Sequence, residues 1–324
     1  MDKGPQAAPP FRVGFYAVPG YALLSFACCV EPLRAANLLA GETLYEMVHL
    51  GPGGGSRSSQ GALMEADAAI GALPPLDLLL VCAGGEPMLH DDPQAFRWLG
   101  QMARRGVRLG GISGGPVILA RAGLMAGRRM TVHWEHAPAL AEAYPDLLLE
   151  RRLYVLDRDR VTCGGGTAPL DLMHALILSH HGTAFAQQVS DWFLHTDIRT
   201  ASAPQRAGLV ERLGTHARPV LEAVAAMEDH QADPLTLGQL ADRTGISRRQ
   251  LNRVFRAETG QSTMAYYRGL RLGTARRMLR ATALPLTDIA LATGFAGSAH
   301  FSAAYRAAFG EPPSAQRRPL GVRR

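Results

Sequence analysis

The strongest constraint on the fold is a helix-turn-helix pattern that occurs twice in the C-terminal third of the chain. The first copy covers residues 237–260 and the second covers residues 286–310. Phe255 of the first copy recurs as Tyr305 in the second, an offset of about 50 residues. A repeat of this length indicates a duplicated supersecondary unit.

Each copy has the residues that a pair of crossing helices requires. Ala241 and Ala290 are small residues at the point where the second helix must cross the first closely. Gly245 and Gly294 are predicted to end the first helix of each copy, because glycine adopts positive φ without a Cβ clash. Ser247 is predicted to cap the second helix. The apolar stripe of that helix is Leu251, Val254 and Phe255.

The opposite face of this second helix is rich in arginine and amide side chains, which form paired hydrogen bonds with guanine and adenine in the major groove. The alternative is a merely solvated charged face, but the duplication favours DNA recognition. The predicted DNA-binding residues are Arg248, Arg249, Gln250, Asn252, Arg253 and Arg256, with Ser298, His300, Ser302 and Arg306 in the second copy. Ala299 and Ala303 stand where polar or basic residues are expected. We therefore predict base readout mainly in the first copy, with shape and phosphate contacts in the second.

Residues from about 215 to 318 resemble the DNA-binding domain of the AraC/XylS family of transcriptional regulators. The resemblance includes the late motif that runs Gly294-Phe295, His300-Phe301, Tyr305-Arg306, Phe309-Gly310 and Pro312-Pro313-Ser314. It implies two helix-turn-helix units joined by a long helix, here about 263–279, which sets the two recognition helices about 34 Å apart in successive major grooves. It also implies an activator whose partners are promoter DNA and RNA polymerase.

The charge is divided unevenly along the chain. Residues 211–324 hold 17 Arg and 9 acidic residues, a balance of +8, whereas the remainder has a balance of −2, which together give the net charge of +6. A basic module attached to a slightly acidic one is typical of phosphate binding confined to the C-terminal part. We predict domains at 11–195 and 217–324 with a linker at 196–216, and a disordered segment at 1–10.

The first 195 residues alternate between strand and helix patterns. Apolar strand segments occur at 11–18, 45–50, 77–83, 107–112, 130–133, 153–156 and 160–163, and helical segments at 26–39, 116–122, 168–181 and 184–194. Alternation of this kind predicts an α/β domain with a mostly parallel, doubly wound sheet. The C-terminal domain is predicted to be all-α, with the two helix-turn-helix units.

Residues 111–115 read Gly-Ile-Ser-Gly-Gly, which matches the nucleophile-elbow pattern G-x-S-x-G between a strand and a helix. Such a turn presents Ser113 at the carboxyl end of the sheet and directs the N–H groups of Gly114 and Gly115 at an anion or carbonyl. In open α/β sheets this edge is where ligands bind.

Residues 11 to about 195 resemble the ThiJ/PfpI, class I glutamine amidotransferase-like domain of regulators of the GlxA type. The segments that carry this resemblance are 29–37, 81–85, 111–115, 119–124, 131–135 and 163–167. In the enzymatic relatives the elbow residue is a cysteine with a glutamate from the first helix beside it. The resemblance maps these positions to Ser113 and Glu31, so that the acid is kept and the thiol is lost.

A serine hydroxyl is inert unless a base removes its proton. The candidate base is His133, but α/β hydrolases place their acid and histidine after the serine in the order Ser, acid, His, whereas Glu135 follows His133 by two residues on a predicted strand. We therefore predict no catalytic residues and a sensing role. The alternatives are a hydrolase or deglycase-like enzyme with Ser113 as nucleophile, and a purely structural or dimerising domain.

The predicted effector-binding residues are Glu31, Ser113, Gly114, Gly115, His133 and Trp134. A carboxylate and an aromatic face suit an ammonium or guanidinium group, and the elbow amides suit a carboxylate. Together they predict a small amine or zwitterion, and the resemblance points to amino acids, betaine and carnitine-like compounds. Trp134 and His133 each also fit an ordinary packing role.

The remaining features predict a protein of the reduced cytoplasm. The four cysteines have neither a disulfide framework nor the spacing of metal ligands, and we expect them to be small buried residues. No signal peptide or segment long enough to span a bilayer is recognised, so no membrane association is expected. We predict no cofactor and no metal, and a homodimer.

Overall fold

The computed structural model describes residues 9–206 and 208–316. The chain divides into two compact units, Met1–Gln205 and Arg206–Arg324. Most of the segment 1–10, which was predicted to be disordered, lies outside the described residues, and so does the end of the predicted DNA-binding domain at 317–324.

The first unit contains a mostly parallel sheet with helices on both faces, as predicted. Its strands are β1 (Phe11–Ala17), β2 (Tyr45–Gly51), β3 (Ser56–Arg57), β4 (Leu63–Met64), β5 (Ala68–Ala69), β6 (Leu78–Ala83), β7 (Arg108–Ser113), β8 (Arg129–Met130), β9 (Leu148–Leu149), β10 (Tyr154–Asp157) and β11 (Arg160–Cys163). Its helices are α1 (Leu23–Ala40), α2 (Pro93–Arg104), α3 (Gly115–Arg121), α4 (Ala137–Ala143), α5 (Ala168–His181) and α6 (Thr183–Trp192), with a 3-10 turn at Pro87–Leu89.

The main sheet has the strand order β10-β11-β7-β6-β1-β2-β5. All neighbouring pairs are parallel except β10 with β11. The carboxyl ends of β6 and β7 lie side by side, because Ala83 pairs with Ser113. This topology places the segments that follow β6 and β7 at one edge of the sheet.

Side chains alternate between two apolar cores along the central strands. Leu78, Leu80 and Cys82 of β6 face the core formed with α1, α5 and α6. Leu79 and Val81 face the second core, formed with α2 and α3. Successive side chains of β6 point to opposite faces of the sheet, and both faces are covered by helices. All six consecutive residues of β6 are therefore buried at the centre of the sheet.

Helix α1 corrects one expectation. It is 18 residues long and apolar enough to span a membrane by length and composition, although no such segment was recognised in the sequence. In this fold Phe26, Cys29 and Leu33 of α1 are buried in the first core against the sheet and α5. Packing within the protein therefore accounts for the apolar residues on this face of α1.

Several elements differ from the sequence prediction, which has neither the helices α2 and α4 nor the two-residue strands β3, β4, β5 and β9. Helix α2 was missed, although Asp92 caps it by accepting the Ala95 N–H at 2.9 Å and Pro93 occupies its first position. Helix α4 was also missed. The strand predicted at 130–133 ends at Met130, and the chain then turns. The expectation that His133 and Glu135 share one face of a strand is therefore wrong.

The second unit is helical. Its helices are α7 (Leu209–Leu213), α8 (Arg218–Asp229), α9 (Leu237–Thr244), α10 (Arg248–Thr259), α11 (Thr263–Ala281), α12 (Leu286–Ala292), α13 (Ser298–Phe309) and α14 (Pro313–Gln316). Helices α9 and α10 form the first helix-turn-helix, α12 and α13 form the second, and α11 is the long helix between them. Helix α7 lies within the predicted linker, and its Leu209 and Leu213 pack on the core of this unit.

The ends of these helices follow the predicted signals. Gly245 and Gly294 have φ of 69° and 72°, in the left-handed region that favours glycine. Ser247 accepts the Gln250 N–H at 3.3 Å, and Gln250 Oε1 accepts the Ser247 N–H at 3.0 Å, which is a complete capping box. Ala241 is buried as expected. The glycine and capping residues of the repeat therefore determine the turns that place the recognition helices.

Candidate functional site

The elbow, residues 111–115, has the strained geometry that the sequence pattern predicts. Ser113 ends β7 with φ of 60°, a region that costs a residue with a Cβ about 1–2 kcal/mol. A Cβ on Gly111 would lie 2.4 Å from the Pro116 nitrogen, and one on Gly115 would lie 1.8 Å from the Val81 carbonyl oxygen. Both glycines are therefore required for α3 to start so close behind β7.

The elbow offers fewer free backbone N–H groups to an anion than the sequence predicts. The Gly114 N–H donates to the Ala83 carbonyl at 3.0 Å, so this group is already used between β6 and the elbow. Gly115 is the first residue of α3, where N–H groups have no acceptor within the helix. The following residue is Pro116, which has no N–H to add. Gly115 thus remains as the backbone donor of the predicted pair.

A second glycine turn, at 164–166, lies against the elbow. A Cβ on Gly165, which has φ of 87°, would lie 2.6 Å from the Ser113 Cβ. The Gly166 N–H donates to the Ser25 hydroxyl at 2.8 Å, and Ser25 is only 2% exposed. The residue of α1 that faces this edge of the sheet is therefore Ser25.

The structure does not bring Glu31 to the elbow. Glu31 pairs with Arg34 on the same helix at 2.7 Å, and its side chain is 43% exposed. It follows Ser25 by six residues, which on an α-helix is a rise of about 9 Å and a rotation of about 120° away. The expectation that a carboxylate was retained beside Ser113 is thus corrected, and Ser25 is the residue that sequence reasoning missed.

His133 and Trp134 do lie next to the elbow. The His133 N–H donates to the Ser113 carbonyl at 3.3 Å. The two rings are 5.4 Å apart with a tilt of 37°, and both residues are half-buried. Burial lowers the pKa of His133, against an opposing effect of Glu135. A neutral imidazole next to an indole face therefore flanks Ser113.

The imidazole of His133 is not arranged as a base for Ser113. Its Nδ1 accepts the Glu135 N–H at 3.4 Å, which favours the tautomer with the proton on Nε2. The contact with Ser113 is made by the backbone of His133 and not by its ring. The geometry fits a lining residue better than a general base.

Gln205 is a further residue of this edge that sequence reasoning missed. Its carboxamide packs on Gly164, where a Cβ would lie 2.6 Å from the Gln205 Cδ. Its Oε1 accepts the Trp134 N–H at 2.8 Å. No sequence signal marks it, because it lies in a segment that reads as a linker.

The outward face of α10 is the candidate nucleic-acid interface. Arg249, Arg253 and Arg256 are exposed and lie at i, i+4 and i+7, on one face of the helix. Leu251 and Phe255, on the opposite side, are fully buried. The three guanidinium groups are therefore presented together to solvent.

Three other predicted DNA-binding residues of α10 have structural contacts. Gln250 belongs to the capping box of its own helix. The Asn252 Oδ1 accepts the Thr263 N–H at 3.0 Å, and so caps the start of α11. The guanidinium of Arg248 lies over Gly238 of α9, 2.7 Å from the position of a Cβ there. These contacts set the angles between helices and leave only part of each side chain for DNA.

From its second residue onward, helix α13 repeats the burial pattern of α10 at an offset of 50. At this offset Arg249 and Arg253 correspond to Ala299 and Ala303, which are exposed, and only Arg306 retains the basic side chain. His300 packs its ring on Phe295 at 5.5 Å, while Ser298 and Ser302 are half-buried. The second recognition helix therefore resembles the first in its pattern of burial but has fewer basic side chains on its exposed face.

The two units define a class of protein: a transcriptional regulator in which an α/β ligand-binding domain is joined to a double helix-turn-helix. A helix-turn-helix domain family matches residues 240–319, and the DJ-1/PfpI family matches residues 21–179. The chain is 45% identical to the HTH-type transcriptional regulator GlxA of Rhizobium meliloti (strain 1021), over 96% of each protein.

Two further similarities agree with this class. The HTH-type transcriptional regulator CdhR of Pseudomonas aeruginosa PAO1 is 40% identical over 95% of this chain and 92% of CdhR. The crystal structure of an AraC family transcriptional regulator from Pseudomonas putida covers 57% of this chain and 100% of that one, with 29% identity and a TM-score of 0.52. The chain belongs to the AraC/XylS family of transcriptional regulators, of the GlxA type.

Proposed function

We propose that the first unit is a non-catalytic sensor of a small amine or zwitterion, such as an amino acid, a betaine or a carnitine-like compound. The carboxylate of the effector would be held by the Ser113 hydroxyl and the Gly115 N–H. Its cationic group would lie against the face of Trp134. Glu31 and Gly114 have no part in this proposal, because the first pairs with Arg34 and the second with Ala83.

The observation that carries the proposal is the placement of Trp134 and His133 beside a strained serine elbow. A half-buried indole face and an elbow amide provide complementary ends for a molecule with separated charges. The regulator is further proposed to act in the cytoplasm as a homodimeric activator that contacts RNA polymerase. The location, the homodimer, the activation and the contact with RNA polymerase are proposed from the resemblance to this family.

A thermal-shift screen of amino acids, glycine betaine and carnitine tests the effector class. A ligand of the folded protein at 100 times its Kd stabilises it by about 2.7 kcal/mol and raises the melting temperature. Trp134→Ala should abolish the shift, whereas Trp192→Ala, which changes an indole that is 51% exposed elsewhere in this unit, should leave it intact. A shift that persists in Trp134→Ala would contradict the assignment of the site.

For the second unit we propose that α10 reads bases and that α13 contributes shape and phosphate contacts. A fragment of residues 206–324, which keeps α7 whole, should bind a promoter fragment with an affinity that falls steeply with salt. Failure to bind at low salt would contradict the proposal that this unit recognises DNA.

A hydrolase with Ser113 as its nucleophile is the second candidate, and the strained turn at Ser113 is the observation that favours it. The two candidates respond differently to Ser113→Ala. A sensor should still bind its ligand, with an affinity reduced by the about 1.5–3 kcal/mol that a hydrogen bond to a charged group contributes. Turnover of a carbonyl substrate that disappears in this variant would instead support the enzyme.

A further inference from the structure

The last segment of the first unit is bound along the elbow edge of the sheet. We call residues 195–205 the strap. Arg199 donates to the fully buried Asp171 carboxylate from its backbone N–H at 2.8 Å and from its guanidinium at 2.6 Å. The Ala201 carbonyl accepts the Leu153 N–H at 3.0 Å. The strap is thus attached at several points before the second unit begins at Arg206.

The strap ends in Gln205, whose carboxamide has a complete set of partners. Its Nε2 donates to the Thr131 hydroxyl at 3.0 Å, to the Val132 carbonyl at 3.0 Å and to the Arg152 carbonyl at 2.6 Å. Its Oε1 accepts the Trp134 N–H at 2.8 Å. We call this set of contacts the Gln205 seat. The two hydrogens of Nε2 are shared among these three acceptors, and Oε1 accepts the one donor, so the site suits a carboxamide.

The Gln205 seat and the elbow are built from the same two pieces of chain. His133, whose N–H donates to the Ser113 carbonyl, lies between Val132 and Trp134, which both bond to Gln205. Gly165, which touches Ser113, follows Gly164, on which the Gln205 carboxamide packs. On each of the two pieces of chain, the residue that contacts Ser113 is therefore the immediate sequence neighbour of a residue that contacts Gln205.

The elbow has little room to accept a new group without moving these pieces. Ser113 is 8% exposed. The space between it and Gly165 is so narrow that a Cβ on Gly165 would lie within 3 Å of three of its atoms. An added group at Ser113 must therefore displace the turn at 164–166 or the segment 131–134, and both support the Gln205 seat.

We propose that Gln205 is a positioning residue that couples occupancy of the elbow to the strap, and through the strap to the DNA-binding unit. A ligand at Ser113 weakens the Gln205 seat and frees the strap, which changes the constraint on the segment that leads into Arg206. The mechanism rests on the proposed sensing function of the elbow. It deepens that function, because it names the element that transmits the signal.

A covalent probe tests the coupling without knowledge of the effector. Ser113→Cys places a thiol at the elbow, and its thiolate then attacks the methylene carbon of iodoacetamide, which forms an S–C bond and releases iodide, leaving a carboxamidomethyl group on the sulfur. The wild-type protein treated in the same way is the control, because it has the same four cysteines and lacks only the thiol at position 113. Hydrogen exchange of individual amides is the readout.

Alkylation should speed exchange of the Trp134 and Leu153 amides about tenfold, because both donate to the strap. The Leu80 amide, in the centre of the sheet, should not change. Stoichiometric alkylation that leaves Trp134 and Leu153 as protected as before would overturn the proposal. The affinity of the alkylated protein for a promoter fragment should also change about threefold or more.

The reverse direction of the coupling gives a second, independent test. Gln205→Glu keeps the size of the side chain but sets a carboxylate against the oxygen atoms of Thr131, Val132 and Arg152, which frees the strap. A freed strap lets the elbow open more often, so alkylation of Ser113→Cys should then become about fivefold faster or more. Gln101→Glu, the same change at an exposed glutamine of α2, is the matched control. Equal alkylation rates in the two double variants would refute the coupling.

These outcomes separate the coupling from the sensing function. If compounds of the thermal-shift panel bind but neither exchange nor alkylation responds, the coupling is wrong and the sensor stands. If exchange and alkylation respond while no compound of the panel binds, the coupling stands and the effector class is wrong.

Discussion

Replacement of Arg253 by alanine tests the proposed division of labour between the two recognition helices. Arg253 is exposed at the middle of the arginine row on α10, between Arg249 and Arg256. A guanidinium paired with a guanine edge contributes about 1–3 kcal/mol to discrimination, which is about 5- to 150-fold in Kd. Arg253→Ala should weaken binding to the preferred DNA sequence by this amount. It should weaken binding much less to a DNA sequence in which the base pair that Arg253 contacts has been changed.

The salt dependence distinguishes base contacts from phosphate contacts. Each phosphate contact that is lost reduces the slope of log K against log salt by about 0.9. Arg306→Ala on α13 should show this reduction with a uniform loss across sequences, because Arg306 is proposed to contact the backbone. Arg218→Ala is the control, since the Arg218 side chain is 86% exposed but lies on α8, outside both recognition helices.

The assay is a titration of labelled promoter variants with the full-length protein at several salt concentrations. We expect a change of base preference for Arg253→Ala and an unchanged preference for Arg306→Ala. A uniform loss in Arg253→Ala, with a slope reduced by about one contact, would show that Arg253 touches phosphate only. The proposal that α10 carries the base readout would then fail at its central residue.

Three further predictions concern other parts of the molecule. Ala303→Arg, which restores on α13 the counterpart of Arg253, should increase both the affinity for DNA and the salt slope by about one phosphate contact, measured in the same titration. Burial lowers the pKa of His136 to about 4, so the stability that its neutral form provides is complete above about pH 6.5 and is lost as the pH falls toward 4. His136→Gln should therefore reduce the loss of stability between pH 7 and pH 5 by about 2 kcal/mol relative to the exposed control His216→Gln, and equal pH profiles in denaturant unfolding would contradict this. Gly115→Ala should destabilise the first unit by about 1–3 kcal/mol or more because its Cβ meets the Val81 carbonyl, whereas Gly100→Ala, on an open face of α2, should not destabilise it.

Features with a local cause could be predicted from the sequence. The elbow was predicted because glycines at fixed spacing around Ser113 permit only one kind of turn, and α5 was predicted with its observed bounds, Ala168–His181. The repeat was predicted because Gly245 and Ser247 signal the end of one helix and the start of the next without reference to the rest of the chain.

Features that depend on which face of an element is buried could not be predicted in this way. Helix α1 is apolar on most of its surface, so its sequence gives no indication that Ser25 rather than Glu31 faces the elbow. Gln205 bonds mainly to backbone groups, which have no sequence signature. Asn252 has the same character, since an amide that caps a neighbouring helix and an amide that reads adenine look alike in the sequence.

The shared burial pattern of α10 and α13 has a consequence for the DNA target. Two copies of one shape, joined by a 19-residue helix, would read two equivalent half-sites if their outward faces were alike. Their faces differ, because arginines on α10 correspond to alanines on α13. If α10 carries the base readout as proposed, each chain bound at its half of the operator has a defined polarity, so inversion of that half relative to the start of transcription would reverse which end of the chain points toward the gene.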